Sequence, residues 1–127
     1  MHDIIVIEDD DILREYMCEG LAKSGHKVRG AVSGVEGLAM FRAQAADIVI
    51  TDLVMDDGEG MGTLIELRDA EPPPLLVAIS GNALYLEQSL KLGAQCGLLK
   101  PFTMAALLRA VDEPAQKWNP RRAQMKT

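Results

Sequence analysis

Two short apolar runs, each ending in carboxylate side chains, constrain the fold of this 127-residue chain most strongly. Residues 48–51 end in Asp52, and residues 4–7 end in four consecutive acids, which are Glu8, Asp9, Asp10 and Asp11. Apolar, β-branched runs of this length are typical of parallel strands that are buried on both faces. Because the carboxyl ends of parallel strands open on one edge of the sheet, where such sheets bind ligands, both acidic ends should meet there.

The acidic residues have two interpretations. Carboxylates crowded at one point repel each other unless a cation lies among them, and a donor set made only of oxygen suits Mg²⁺. The alternative is that residues 8–11 only cap the helix that follows. Capping needs one side chain rather than four, and it leaves Asp52 unexplained. The pattern therefore favours a metal site over a cap.

Short β-rich runs alternate with helical patterns along the whole chain. Strands are predicted over residues 3–7, 27–32, 47–51, 75–79 and 96–99. Helices are predicted over residues 11–24, 34–45, 60–70, 83–92 and 103–112. Gly25 suits the end of the first helix, Ser33 with Glu36 forms a capping box for the second, and Thr103 can cap the fifth. Five such units without internal repeats predict one α/β domain, a doubly wound sheet of five parallel strands with five helices.

The net charge of -6 is unevenly distributed. Residues 1–112 carry 18 acidic and 9 basic side chains, whereas residues 113–127 carry one acidic and four basic ones. An acidic body is the wrong sign for binding phosphate backbones, so no direct contact with nucleic acid is expected. The basic segment 113–127 contains Pro114 and Pro120 and is expected to be a flexible extension or a short helical continuation.

Several other classes of protein are excluded by the sequence. No stretch approaches the roughly twenty apolar residues of a membrane span, and no signal-peptide pattern precedes the first strand, so a cytoplasmic location is expected. Cys18 and Cys96 lie far apart and near no histidine, which favours two core thiols over a zinc site or a disulfide. With His2 and His26 as the only histidines, neither a Ser-His-Asp triad nor a histidine metal site is credible.

The remaining strand ends carry matching chemistry. The fourth strand delivers Ser80 to the carboxyl edge, and the fifth delivers Lys100, followed by Pro101. If a phosphoryl group is transferred to Asp52, its carboxylate can attack phosphorus and form an aspartyl phosphate. Mg²⁺ and a lysine ammonium would neutralise the phosphoryl oxygens, and a hydroxyl would donate to one of them. Ser80 alone could be a turn residue and Lys100 alone a surface cation, but four matching strand ends favour a common site.

With these residues in place, the chain resembles the receiver domains of bacterial response regulators over residues 3 to about 112. The segments that carry the resemblance are IIVIEDD, IVITDLVM, VAISG and GAQCGLLKPF. The resemblance implies a flavodoxin-like or CheY-like three-layer α/β/α fold for a receiver domain at residues 1–112. It also implies that a histidine of a sensor kinase or of a histidine phosphotransfer protein supplies the phosphoryl group.

The resemblance assigns the site residues as follows. Asp52 is expected to be the phosphoacceptor, with Glu8 and Asp9 as the acidic pair. Asp9 and Asp52 are expected to bind Mg²⁺ together with the backbone carbonyl of Val54. The family pattern makes Ser80 the switch hydroxyl and Lys100 the residue that bridges to phosphate, with a cis Lys100–Pro101 bond.

The chain departs from the family pattern in the segments that transmit the signal. Gly97 stands where the family usually has Tyr or Phe, three residues before the lysine, so the usual aromatic rotamer change cannot occur there. Tyr85 is expected to be an exposed aromatic rather than a substitute. Residues 58–62, with three glycines, are expected to form a loop that is unusually free in its backbone.

Three functions remain open. The first is a stand-alone phosphoacceptor domain, not an enzyme beyond its own phosphorylation and dephosphorylation, that a downstream protein partner reads. The second is a Mg²⁺-dependent phosphohydrolase of the haloacid dehalogenase type, but that family has a second Asp where this chain has Val54. The third is a receiver-like module that binds partners without being phosphorylated, which the complete set of acid, Asp, hydroxyl and Lys disfavours.

Overall fold

A computed structural model of the chain describes residues 1–54 and 60–117, with side chains described up to residue 113. The strands are β1 (Asp3–Ile7), β2 (Lys27–Ala31), β3 (Ile48–Asp52), β4 (Leu75–Ser80) and β5 (Cys96–Leu99). The helices are α1 (Asp11–Lys23), α2 (Gly34–Ala43), α3 (Gly60–Arg68), α4 (Ala83–Lys91) and α5 (Met104–Lys117). Every predicted element is present and of the predicted type.

The five strands form one parallel sheet in the order β2-β1-β3-β4-β5. The chain first moves outward from β1 to β2 and then crosses back to β3, which is the doubly wound arrangement predicted from the sequence. The direction of winding reverses between β1 and β3, and open α/β sheets bind ligands at the carboxyl ends of strands beside such a reversal. The fold thereby places the ends of β1 and β3 side by side.

The sheet is buried on both faces, which explains why its central strands are apolar throughout. Ile4 and Val6 of β1 point into the core under α1 and α5, whereas Ile5 and Ile7 point into the core on the opposite face. All four are fully buried, and each such side chain contributes roughly 1.5–3 kcal/mol by leaving water. Because β1 is held on both faces, the position of its acidic end is fixed by packing.

The boundaries of the elements agree with local chemistry. The Ser33 side chain accepts a hydrogen bond from the amide of Glu36, the Thr103 hydroxyl accepts one from the amide of Ala106, and Gly25 ends α1 with a φ of 95°. Helix α5 continues to Lys117, five residues beyond the end predicted for the fifth helix, so that position 114 lies within the helix. The basic extension therefore begins as helix in the described part.

The loop expected at residues 58–62 is only partly described. Residues 55–59 lie outside the described residues, but Gly60 begins α3 and is buried against Leu53. A Cβ atom on Gly60 would lie 2.3 Å from the carbonyl oxygen of Leu53. The expectation of free backbone was therefore wrong for Gly60, where glycine is required by the close approach of the preceding chain.

Both cysteines lie in the described part of the chain. Cys18 and Cys96 are free and half-buried, and both pack at the margin of the core under α1 and α5. Burial raises the pKa of both thiols. Within the described ranges, none of the helices has the length and apolar character needed to cross a membrane.

Candidate functional site

The four predicted strand ends meet at the carboxyl edge of the sheet. Lys100 follows β5, and its Nζ lies 2.8 Å from Oδ2 of Asp52 and 2.9 Å from Oε1 of Glu8. The Lys100–Pro101 bond after it is cis, as expected. One ammonium thus bridges the carboxylates that end β1 and β3. Because β4 lies between β3 and β5, the lysine side chain reaches past β4 to make these contacts.

The four consecutive acids divide into two pairs with different roles. Oδ1 of Asp10 accepts hydrogen bonds from the amides of Ile12 and Leu13, at 3.0 and 3.2 Å, and so caps α1. Asp11 lies in the first turn and forms an ion pair with Arg14. One residue of the run therefore caps the helix, whereas the carboxylates of Glu8 and Asp9 lie close to that of Asp52.

The other two acids of the run, Glu8 and Asp9, form a group with Asp52 that fits a divalent cation. Glu8, Asp9 and Asp52 each offer a carboxylate oxygen, and the three oxygens lie within 4.8 Å of one another. Glu8 and Asp52 are only 1% and 3% exposed. Oε1 of Glu8 is buried, and apart from its ion pair with Lys100 it accepts no hydrogen bond from the described residues. A buried oxygen in an oxygen-only cluster matches the ligands that Mg²⁺ prefers.

The pKa values of Glu8 and Lys100 are both shifted by burial and by the charges close to them. Burial, together with the nearby charge of Asp52, raises the pKa of Glu8 to about 7, although Lys100 and the amide of Asp10 oppose the shift. Burial alone would lower the pKa of Lys100, but its hydrogen bonds to Asp52 and Glu8 outweigh burial and raise it. The lysine therefore stays charged, and its one ammonium faces the two buried carboxylates of Glu8 and Asp52.

The backbone after Asp52 also reaches the site. The amide of Val54 donates a hydrogen bond of 3.0 Å to Oδ1 of Asp52, so the two oxygens of Asp52 are held by Val54 and by Lys100. This contact fixes the orientation of the carboxylate. The role of the Val54 carbonyl as a metal ligand stays a prediction.

Ser80 is the last residue of β4 and contacts the residue that caps helix α4. Its side chain is buried, and Oγ accepts a hydrogen bond of 3.0 Å from the amide of Asn82. Asn82 in turn caps α4, because its Oδ1 accepts from the amides of Leu84 and Tyr85. Sequence reasoning missed this residue, although an Asn directly before a helical pattern is a recognised N-cap signal.

Gly97 lies under a side chain of α4. A Cβ atom on Gly97 would lie 3.3 Å from Cδ2 of Leu86 and 3.4 Å from its Cβ. The helix therefore packs directly on β5, and leucine occupies the space above the missing side chain. Tyr85 is exposed, as expected, and the atoms nearest to this space belong to Leu86.

An apolar groove of about 550 Å³ lies beside the acidic cluster. Ile12 of α1 is 82% exposed and Tyr16 is half-exposed, whereas Met17 is fully buried. The helix thus carries more apolar side chains than it buries. The groove is lined by Asp10, Ile12, Leu13, Tyr16, Lys100, Pro101 and Phe102.

The fold and this constellation define a class of protein, the doubly wound α/β domains with an acidic pair, an aspartate, a hydroxyl and a lysine at one sheet edge. The family profile described as "Response regulator receiver domain" matches residues 4–112. The chain belongs to the response regulator receiver domain family.

Individual relatives support this assignment. The chain is 34% identical to the probable transcriptional regulatory protein SilR of Salmonella typhimurium, covering 91% of this chain and 52% of SilR. It is 33% identical to the sensor kinase CckA of Brucella abortus, covering 90% of this chain and 12% of CckA. A response regulator receiver domain from Clostridium thermocellum has a TM-score of 0.84 and 28% identity, covering 92% of this chain and 96% of that structure. The chain spans about half the length of SilR and much less of CckA.

Proposed function

We propose that Asp52 accepts a phosphoryl group from a phosphohistidine of a sensor kinase or of a phosphotransfer protein. An oxygen of the Asp52 carboxylate forms a bond to phosphorus, the bond between phosphorus and the donor histidine breaks, and the imidazole nitrogen leaves with the electron pair. The observation that carries this proposal is the Lys100 bridge between Asp52 and Glu8. A cation at this point would neutralise the charge of an incoming phosphoryl group.

The other residues have complementary roles in this proposal. Glu8, Asp9 and Asp52 would hold Mg²⁺, with the Val54 carbonyl as a further ligand. A bound Mg²⁺ would supply charge neutralisation for the phosphoryl oxygens. Lys100 would exchange its contact with Asp52 for a phosphoryl oxygen.

The phosphoryl oxygens would also attract Ser80. Its hydroxyl can donate to a phosphoryl oxygen on Asp52, and a shift of Oγ towards that oxygen would lengthen the hydrogen bond that Oγ accepts from the amide of Asn82. Asn82 caps α4. The first element to respond would therefore be α4, and a partner protein, or a further domain, would read that response in the cytoplasm.

The apolar groove beside the cluster is the proposed docking site for the histidine donor. It is continuous with the site, since Asp10 and Lys100 line it together with Pro101 and Phe102. A donor helix covering Ile12 and Tyr16 would bring its phosphohistidine towards Asp52 and exclude water from the reaction.

Docking can be tested by comparing a protein donor with a small one. Ile12→Glu places a charge in the groove without altering the carboxylates, so transfer from a phosphohistidine protein should slow by at least about tenfold, the effect of 1.4 kcal/mol. Phosphorylation by acetyl phosphate with Mg²⁺ should be unchanged. Val35→Glu, at an apolar residue of α2 that is 70% exposed, is the matched control and should slow neither reaction. Equal loss with both donors in Ile12→Glu would show damage to the site rather than to docking.

The phosphohydrolase alternative has less support. It requires a second carboxylate two residues after the nucleophile, and the side chain at that position is the exposed, apolar Val54. We therefore propose a phosphoacceptor and not a turnover enzyme. Its only expected reactions are its own phosphorylation and the hydrolysis of its own acyl phosphate.

A further inference from the structure

Arg14 of α1 contacts the backbone that carries the acidic pair. Its Nη1 donates a hydrogen bond of 2.8 Å to the carbonyl oxygen of Glu8, and its Nη2 pairs with Asp11. The guanidinium therefore spans the turn between β1 and α1 and joins its first residue to the start of the helix. Glu8 and Asp9 both lie in this turn.

The stem of Arg14 is seated on the edge strand β2. A Cβ atom on Gly30 would lie 3.3 Å from Cδ of Arg14, so the absence of a side chain at Gly30 leaves the space over which the stem runs. Gly30 pairs with Val6 in the register of β1 and β2. The guanidinium is thereby brought from the sheet surface to the end of β1, and its side chain is mostly buried.

Glu8 is held at every polar atom. Its amide donates to the carbonyl of Ala31 at 3.0 Å, and its Oε2 accepts from the amide of Asp10 at 3.2 Å. Its Oε1 pairs with Lys100, and its carbonyl accepts from Arg14. Of these four contacts, only the one from Arg14 depends on a side chain that lies outside the predicted site.

We infer that Arg14 is a positioning residue for the metal site, one that fixes the β1–α1 turn so that Glu8 and Asp9 face Asp52. This inference rests on the proposed function, since it concerns the binding of Mg²⁺ to these carboxylates. Partners in the outer shell of a metal site orient the ligands in this way, and their loss costs metal affinity.

The direction in which the Mg²⁺ affinity changes when Arg14 is replaced separates a positioning role from a purely electrostatic one. A cation close to an acidic cluster repels Mg²⁺, so removing its charge would by itself tighten binding. Positioning predicts the opposite, because the freed turn must be ordered again when the metal binds. Arg14→Gln should therefore raise the Mg²⁺ dissociation constant by about tenfold. Arg14→Lys, which keeps the charge but not the forked pair of donors, should lie between Arg14→Gln and the unmodified protein.

The experiment is calorimetric titration of the chain with Mg²⁺, in the absence of any phosphodonor. Arg42→Gln is the matched control, since it removes one exposed cation from α2 and should leave the affinity unchanged. Hydrogen exchange without metal provides a second reading, in which the Asp10 amide should lose protection in Arg14→Gln and keep it in Arg42→Gln.

The two proposals fail in different ways. No Mg²⁺ binding by the unmodified protein would overturn the proposed function and this inference with it. Normal binding by the unmodified protein, with equal or tighter binding by Arg14→Gln, would overturn the role of Arg14 alone. An unchanged exchange rate at Asp10 in that variant would contradict the positioning role as well.

Discussion

Replacing Lys100 by methionine tests whether the buried carboxylates of Glu8 and Asp52 depend on the bridging ammonium. The structure gives Nζ distances of 2.8 Å to Asp52 and 2.9 Å to Glu8. At an effective dielectric constant near 20, each pair has a gross attraction of roughly 6 kcal/mol, most of which offsets the loss of hydration. Breaking a buried ion pair from one side costs about 3–5 kcal/mol, and the lysine side chain is 27% exposed, so we expect about 3 kcal/mol.

The cost should depend on pH in a defined direction. In the native protein the pKa of Glu8 is raised to about 7, and without Lys100 it must rise further. At a pH between the Glu8 pKa of the unmodified protein and that of Lys100→Met, the folded variant binds more protons than the folded unmodified protein. The variant therefore loses stability relative to the unmodified protein as the pH increases. The unfolding free energies of the unmodified protein and of Lys100→Met should therefore differ more at pH 8 than at pH 6. At pH 6 Glu8 is mostly protonated and no longer needs the ammonium.

Urea unfolding at the two pH values, without divalent metal, measures this difference. Lys91→Met is the control, since Lys91 is an exposed lysine of α4 and forms no ion pair with the described residues. About 3 kcal/mol corresponds to a fall in melting temperature of roughly 10 °C for a domain of this size. A Lys100→Met variant as stable as Lys91→Met at pH 8 would refute the reasoning.

Three further predictions concern the rest of the fold. Burial lowers the pKa of His26, although Asp112 opposes the shift, so the folded state disfavours its protonation. Because the raised pKa of Glu8 acts in the opposite direction over the same pH range, the test is a comparison: as the pH drops below 6.5, the unfolding free energy of the unmodified protein should fall relative to that of His26→Gln. Asn82→Ala should destabilise the protein by about 1 kcal/mol in urea unfolding, whereas Asn82→Asp should retain the cap and most of the stability. Gly97→Ala should be destabilising because its Cβ would crowd Leu86. The double variant Gly97→Ala, Leu86→Ala should be more stable than the sum of the two single changes in unfolding free energy predicts. Additive changes would contradict the contact.

The arrangement of the sheet was predictable because its central strands share one pattern, a short and continuous apolar run. Runs such as residues 4–7 are apolar at every position, and only a strand covered on both faces requires this. The acidic ends then follow from topology, since parallel strands deliver their last residues to one edge. The same reasoning brought Glu8, Asp52 and Lys100 together before any distance was known.

Contacts that depend on tertiary packing were not predictable in the same way. The sequence does not distinguish a glycine in a free loop from one that is needed for a close backbone approach. At Gly60 only the tertiary contact with Leu53 distinguishes the two. The packing of Leu86 on Gly97 depends on the rotation of α4 about its own axis, which a nine-residue helix pattern does not fix. The contact of Arg14 with the Glu8 carbonyl pairs a side chain with a backbone atom, for which the sequence carries no separate signal.

Phosphorylation of Asp52 by a small donor tests the central claim most directly. The chain is incubated with Mg²⁺ and acetyl phosphate, and its intact mass is measured beside those of Asp52→Asn and of Asp69→Asn, which alters an exposed aspartate remote from the site. We expect a single phosphoryl adduct on the unmodified protein and on Asp69→Asn, and none on Asp52→Asn, because the amide cannot form an acyl phosphate. An undiminished adduct on Asp52→Asn, or none on the unmodified protein, would contradict the account.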